Sequence, residues 1–175
     1  MTFARAVLDV QRELCHTWKL HELVDRVDIE ESWSVANHAT MAFGLFYPGS
    51  RRCRTIGSIT IPAVNIPVFN GLTYCARAIG LDGPSRVSLR AVVRHEFAHG
   101  LAHLLGLLNN TRRPWGIGTC FTDYATTDAD EDLAETVALY LTRRGRPPQH
   151  MDFWLRAKWV CAARLIHQAT SRRHT

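Results

Sequence analysis

Arg94-His95-Glu96-Phe97-Ala98-His99 is the most informative stretch of the sequence. It lies in a segment with helical periodicity, and side chains four residues apart on a helix share one face. His95 and His99 can therefore bind one metal ion together, and imidazole suits zinc. A zinc ion lowers the pKa of its water, and Glu96 can then take a proton from that water as a general base. The stretch predicts a catalytic zinc site; the alternative is a solvated pair of histidines with a glutamate on a helix surface.

The helix that carries this motif has recognisable ends and an apolar side. We predict that it begins after Asp82-Gly83-Pro84, with Ser85 as its cap, and runs to Leu105 before Gly106 ends it. The motif then lies in mid-helix, as the chemistry requires. Away from the histidines, the helix offers apolar side chains that can pack on a core, namely Val92, Val93, Phe97, Leu101 and Leu104.

A catalytic zinc ion needs a third protein ligand and one open position. Five acidic residues cluster downstream, within residues 128–135. Glu131 and Glu135 are four residues apart, so they share a helical face, and one carboxylate can bind the metal while the other orients a ligating histidine. The three aspartates of the cluster suit the alternative role of complementing the helix dipole. We favour metal binding for Glu131.

His103 is a rival for the third ligand, because it follows His99 by one more helical turn. Three histidines on successive turns of a straight helix span about 12 Å of rise, which is too long for one ion. We expect His103 to support the site from outside, to pack on the surface, or to contact the irregular segment that follows the helix.

The combination of His95-Glu-Phe-Ala-His99 with Glu131-Asp-Leu-Ala-Glu135 resembles the gluzincin metallopeptidases. The pattern is similar to the catalytic domain of anthrax lethal factor and to the minigluzincins, over roughly residues 84–145. The resemblance implies a zincin-like fold, with Glu131 as the third zinc ligand and Glu135 supporting the site. It also implies a role for Tyr124, which stands seven positions before Glu131, in assisting the transition state. A weaker resemblance to SprT-like cores suggests that the strand at Thr55–Ile61 pairs with an extended peptide substrate.

The order of predicted elements is a helix, a small β-meander and then helices, which indicates an α+β fold in a single domain, residues 1–175. An amphipathic helix is expected at residues 3–20. Short strands are expected at residues 28–35, 38–46 and 53–61 as an antiparallel meander on the motif helix, and residues 62–83 are hard to interpret beyond a helical turn near 74–79. The other expectations are a rim loop at 107–127, a glutamate helix capped by Thr127 or Asp128 and ended by Gly145, and a C-terminal helix at about 151–170.

Composition limits the class of protein. With 46% apolar and 21% charged residues among 175, the chain suits one globular domain, and we expect no signal peptide and no membrane span, hence a cytoplasmic protein. The five cysteines form no Cys-x-x-Cys pair, so we expect reduced thiols; Cys120, in the rim loop, is a candidate for blocking the zinc in a resting form. The net charge of +5, with paired arginines, is compatible with an acidic partner, nucleic acid or a solvated surface.

These observations predict a zinc-dependent endopeptidase with a polypeptide substrate. Two alternatives stay open: an SprT-like protease that acts on DNA-associated proteins, and a zinc-binding interaction module without proteolytic activity. The SprT-like pattern has a third histidine where this chain has a glutamate, which argues against the first alternative. The sequence does not identify the substrate, because the predicted cleft walls come from its least interpretable segments.

Overall fold

A computed structural model of the chain describes residues 2–32, 44–50, 52–78, 87–107 and 114–171. Within these residues the chain forms helices and one small sheet, so the fold is α+β, as predicted. In chain order the elements are α1 (Phe3–His16), α2 (His21–Asp25), β1 (Val27–Glu31), β2 (Leu45–Pro48), β3 (Gly57–Ile61), α3 (Asn65–Ala78), α4 (Leu89–Leu105), a 3-10 turn (Tyr124–Thr126), α5 (Ala129–Thr142) and α6 (Phe153–Ser171).

The sheet is mixed, so the predicted antiparallel meander is wrong. Its strand order is β1-β3-β2, with β1 parallel and β2 antiparallel to β3. β3 alternates buried and half-buried residues, with Gly57, Ile59 and Ile61 toward the core, whereas β1 and β2 are mostly exposed. The strand with the cleanest apolar alternation is therefore the central one. The predicted strands at 28–35 and 38–46 fall partly on residues 33–43, outside the described part of the chain.

The central position of β3 also overturns the prediction that Thr55–Ile61 receives a peptide substrate. β3 is hydrogen-bonded to a strand on each side and has no free backbone groups to offer. Among the described residues, β2 is the outer strand on the side of α4, against which it packs.

Helix α4 lies at the centre of the molecule and contacts α1, α2, β2, β3, α5 and α6. The Ser88 hydroxyl caps it by accepting a hydrogen bond from the Ala91 amide, so the prediction that the helix begins soon after Pro84 is wrong by one turn. Ser85 itself lies outside the described residues. Gly106, with φ of 79°, ends the helix as predicted. The apolar residues predicted to pack, Val92, Val93, Phe97, Leu101 and Leu104, are all buried.

Several other helix ends agree with the sequence analysis, and two elements differ. Asp128 caps α5 by accepting from the amides of Asp130 and Glu131, and Gly145, with φ of 72°, follows its last turn. The first helix ends at His16 rather than near residue 20, and Lys19 has the left-handed φ of 57° that redirects the chain into α2. α3 was not predicted beyond a turn, because Pro67 in its first turn and Gly71 in its middle obscure the periodicity.

A buried ion pair joins α5 to α6 and to the segment before the 3-10 turn. Lys158 and Asp132 are both fully buried, and Lys158 Nζ lies 2.8 Å from Asp132 Oδ2. Lys158 also donates to the Thr119 carbonyl (2.7 Å) and contacts Cys120 Sγ (3.3 Å), and the Gly116 amide donates to Asp132 (2.9 Å). This pair holds the loop at 116–120 against the two helices.

Replacing Lys158 with methionine is expected to lower the free energy of unfolding by about 3–5 kcal/mol, because Asp132 would keep a buried charge without its partner. The measurement is urea denaturation at neutral pH. Arg5→Ala, which breaks the exposed Arg5–Asp9 pair, should cost less than about 1 kcal/mol. A Lys158→Met variant as stable as the Arg5→Ala variant would contradict this role for the buried pair.

Candidate metal centre

Two helices bring together the residues that the sequence analysis selected. α4 provides His95 and His99 one turn apart, and α5 runs beside it with Glu131 one turn before Glu135. His95 and His99 are each 9% exposed and Glu96 is 4% exposed, so the alternative of solvated side chains on a helix surface is wrong. Burying this many ionisable groups costs folding free energy unless they are paired or hold a metal.

Three side-chain atoms converge on one point. His95 Nε2 lies 3.1 Å from His99 Nε2 and 3.0 Å from Glu131 Oε2, and His99 Nε2 lies 3.5 Å from the same oxygen. Two ligand atoms of a tetrahedral zinc ion, at bond lengths near 2.0–2.1 Å, lie roughly 3.3–3.4 Å apart. The observed triangle has this size. Within the described ranges, these three residues are the one group of His, Cys, Asp and Glu with the spacing of a metal site.

The hydrogen bonds around His95 determine which ring nitrogen faces that point. His95 Nδ1 lies 2.7 Å from Glu135 Oε1, and the pKa of Glu135 is lowered because its contacts with His95 outweigh the effect of burial. An ionised carboxylate only accepts, so Nδ1 carries the proton and donates it to Glu135. Nε2 is then left to face His99 and Glu131, as in metal-binding histidines oriented by a carboxylate.

The surroundings of Glu131 Oε2 also bear on whether a metal ion fits here. It is buried, yet it accepts no hydrogen bond of good geometry from the described residues, although His95 Nε2 is 3.0 Å away. A buried carboxylate oxygen without a donor is unfavourable. A cation at the shared point would satisfy this oxygen and both imidazole nitrogens together, so the residues present fit a zinc ion.

The titration behaviour of the site also favours a cation. Burial lowers the pKa of His95, but its contacts with Glu131 and Glu135 and the charge of Glu96 outweigh that effect and raise the pKa to about 10. Burial raises the pKa of Glu131, but its contacts with His95 and His99 lower the pKa to about 2. Three carboxylates thus surround two imidazoles, and either a proton or a metal ion must supply positive charge there.

Glu96 lies in a tighter environment than its neighbours. Burial raises the pKa of Glu96, and His95 and His99 only partly offset that effect. The chain entering β2 passes directly against this side chain: a Cβ atom on Gly44 would lie 2.5 Å from Glu96 Oε1 and 2.7 Å from its Cγ. The absence of a side chain at residue 44 therefore creates the space that Glu96 occupies. Gly44 could not be identified from the sequence, because nothing local marks this contact.

Tyr124 lies beside the histidines, at the start of the 3-10 turn that precedes α5. Its ring centroid is 5.8 Å from that of His95. Burial and the charges of Glu131 and Glu96 raise the pKa of Tyr124, so the phenol keeps its proton at neutral pH and can donate a hydrogen bond. More than half of the side chain is exposed to solvent, which leaves it accessible to a ligand.

Thr122 is a further residue that the sequence analysis missed. Its side chain hydrogen-bonds to Glu135, and its hydroxyl accepts from the Ala125 amide at 3.1 Å. Thr122 thereby connects the carboxylate that orients His95 to the turn that carries Tyr124. A threonine in an irregular loop has no distinctive pattern, so no signal in the sequence marks it.

Two residues considered in the sequence analysis lie elsewhere. The His103 ring nitrogen is 2.8 Å from the Gly49 carbonyl, and its ring lies near that of Phe46, so it packs against the end of β2 and belongs to no metal group. Cys120 contacts Lys158 and is not part of the converging group. Its proposed role of blocking the zinc has no support from these contacts.

Comparison of the chain with models of known protein families, with curated proteins and with solved structures gave no significant match. None of the helices in the described part of the chain combines the length and the apolar character needed to cross a membrane.

The geometry predicts one tightly bound zinc ion per chain. His95→Ala and Glu131→Ala are expected to lose the metal during gel filtration with a weak chelator. His103→Ala should retain it, since His103 contacts the Gly49 carbonyl instead of the converging group. Glu135→Gln should weaken zinc affinity by about 10–100-fold, because it loosens the orientation of His95. Elemental analysis and chelator competition measure these effects. Equal zinc content in wild type and Glu131→Ala would exclude Glu131 as a ligand.

Gly44→Ala is expected to lower the free energy of unfolding by about 1–3 kcal/mol, because the added methyl group overlaps Glu96. In a Glu96→Ala background the same substitution should cost much less, so a double-mutant cycle isolates the contact. Gly71→Ala is the matched control, since a Cβ atom there meets nothing within 4 Å. If Gly44→Ala lowers the free energy of unfolding equally in both backgrounds, steric overlap with Glu96 is not the reason that residue 44 must be glycine.

Proposed function

We propose that this protein is a zinc-dependent endopeptidase with a zincin-like fold. One observation supports this most strongly: His95, His99 and Glu131 converge with the spacing of zinc ligands, and the buried carboxylate of Glu96 belongs to the same helical turn as the two histidines. Three protein ligands of the types His, His and Glu leave a fourth position for a reactant, which is typical of catalytic rather than structural zinc.

Zinc, when bound, would supply Lewis acidity toward a peptide carbonyl and the attacking water. The residues of the chain then have separate tasks. Glu96 takes a proton from the attacking water and passes it to the leaving amine nitrogen, and burial suits it for this because a raised pKa brings a carboxylate closer to neutral pH. Glu135 holds His95 in the required tautomer throughout.

Tyr124 is the donor that we assign to the oxyanion of the transition state. Its phenol stays protonated and lies beside His95, on the exposed side of the site. A hydrogen bond that forms only as negative charge develops stabilises the transition state more than the substrate.

The polypeptide substrate would lie along β2. Within the described ranges β2 is an outer strand and begins beside Gly44, where an added Cβ atom would overlap Glu96. Leu45 and Tyr47 are exposed and can contact substrate side chains. An extended peptide that pairs with this edge places its backbone next to the general base.

Glu96→Gln is expected to keep full zinc occupancy and lose proteolysis, because the amide cannot take a proton. Tyr124→Phe should also keep zinc and lower kcat by about 10²–10³-fold with little change in KM. The assay is cleavage of a denatured protein mixture, with the products identified by mass spectrometry, followed by kinetics on the best peptide.

The outcomes separate the alternatives. A zinc-loaded wild type that cleaves nothing would support the interaction module instead. Cleavage that requires added DNA would support the SprT-like alternative. Proteolysis that survives in Glu96→Gln would remove Glu96 from the mechanism.

A further inference from the structure

The positive charge of the chain is concentrated in its last forty residues. Residues 136–175 contain eight lysines or arginines and one acid, Asp152, so this part carries a net charge of +7, whereas residues 1–135 carry −2. Lys158 is buried and paired with Asp132, so it adds nothing to the surface. Of the seven arginines in this part, the five within the described residues are all exposed: Arg143, Arg144, Arg146, Arg156 and Arg164.

Three of these exposed arginines, Arg143, Arg144 and Arg146, are in the turn after α5, and Arg164 is on α6. None of them forms an ion pair with a carboxylate of the described residues, whereas Arg5, Arg26, Arg90 and Arg94 each do. Exposed arginines without a carboxylate partner raise the local concentration of anionic partners.

A shallow groove of about 510 Å³, open to solvent over most of its extent, lies between this turn and α6. Arg164 and His167 line one part of it. The remaining side chains that line it are apolar or aromatic: Tyr140, Pro147, Trp159, Val160 and Ala163. The groove thus combines an apolar floor with a basic edge.

The groove lies away from the metal centre. Tyr140 follows Glu131 by nine residues on α5, which is two and a half helical turns, so the two side chains leave opposite faces of the helix. A ligand in the groove would therefore contact the face of α5 that lies opposite Glu131.

We propose that this groove docks an acidic segment of a partner polypeptide, with one apolar side chain of that segment as its anchor. The anchor would lie between Pro147 and Val160, and flanking carboxylates would pair with Arg164 and the arginines of the 143–146 turn. Apolar anchors inside a polar rim are typical of peptide-binding surfaces.

The groove suits a polypeptide better than a nucleic acid. Single-stranded nucleic acids need exposed aromatic rings on which bases stack. Trp159 is only 6% exposed, and it packs against Tyr140 with ring centroids 5.0 Å apart. The aliphatic and proline side chains of the groove have no charge or hydrogen-bond donor for a phosphate group. They can instead bury a leucine or phenylalanine side chain.

Fluorescence anisotropy on the full chain tests this proposal. The probe is a fluorescein-labelled peptide in which one Leu-Phe pair lies between runs of Asp and Glu. One control peptide replaces Leu-Phe with Gly-Gly, and a second replaces the acids with Asn and Gln. We expect saturable binding of the probe, weakened by salt, and much weaker binding of both control peptides.

Matched variants locate the binding. Arg164→Glu is expected to lower the affinity for the probe by roughly tenfold. Arg12→Glu makes the same charge change at a less buried position of α1 and should lower that affinity by less than about twofold. Val160→Ser removes part of the apolar wall without changing charge and should weaken the probe several-fold. All three positions are exposed, so thermal unfolding should stay unchanged.

Three results would overturn the proposal: absence of saturable binding, an equal loss in Arg12→Glu and Arg164→Glu, or equal binding of the Gly-Gly control peptide. Displacement of the probe by a short oligonucleotide that binds more tightly, with the same dependence on Arg164, would instead identify a nucleic-acid surface. The binding experiment does not depend on the proposed peptidase activity, because it measures binding without turnover. The Glu96→Gln variant should therefore bind the probe as the wild type does.

Discussion

The hydrogen bond between His95 Nδ1 and Glu135 organises the candidate metal centre. It fixes the tautomer of His95, so that Nε2 faces His99 and Glu131 rather than solvent. The bond forms only if α4 and α5 lie side by side in one register, because the two glutamates are one turn apart on α5 and the two histidines are one turn apart on α4. The capped start of α5, the buried Asp132–Lys158 pair and the apolar contacts of α4 all act to keep that register.

The electrostatics of the centre couple its charged residues to one another. Glu96, Glu131 and Glu135 place three carboxylates around two imidazoles in a largely buried site. Such a group is unfavourable without a cation, and the raised pKa of His95 and the lowered pKa of Glu131 are responses to that demand. Zinc at the shared point would satisfy the buried oxygen of Glu131. Glu96 is the one carboxylate of these three whose pKa is raised, because it is buried, and a raised pKa suits a general base.

The parts of this arrangement that depend on local spacing could be predicted from the sequence. The four-residue intervals of His95–His99 and Glu131–Glu135 gave the converging group, and Asp128, Gly106 and Gly145 marked helix ends by rules that act within one turn. Contacts between distant segments could not be predicted. Strand order depends on long-range pairing, so the predicted position of β3 in the sheet was wrong. Gly44 and Thr122 can be recognised only by their proximity in space to Glu96 and Glu135, which lie far away in the sequence or on another element. The start of α4 was misplaced because two serines, at 85 and 88, are equally plausible caps.

The central claim is that a zinc ion joins α4 to α5 at a site with an open position. The most direct measurement is an anomalous difference map at the zinc absorption edge, from crystals of protein purified without added metal or chelator. The account predicts one strong peak at bonding distance from His95 Nε2, His99 Nε2 and Glu131, with His95 Nδ1 still bonded to Glu135. A well-ordered map without a peak there, or a peak from which Glu131 points away, would contradict it.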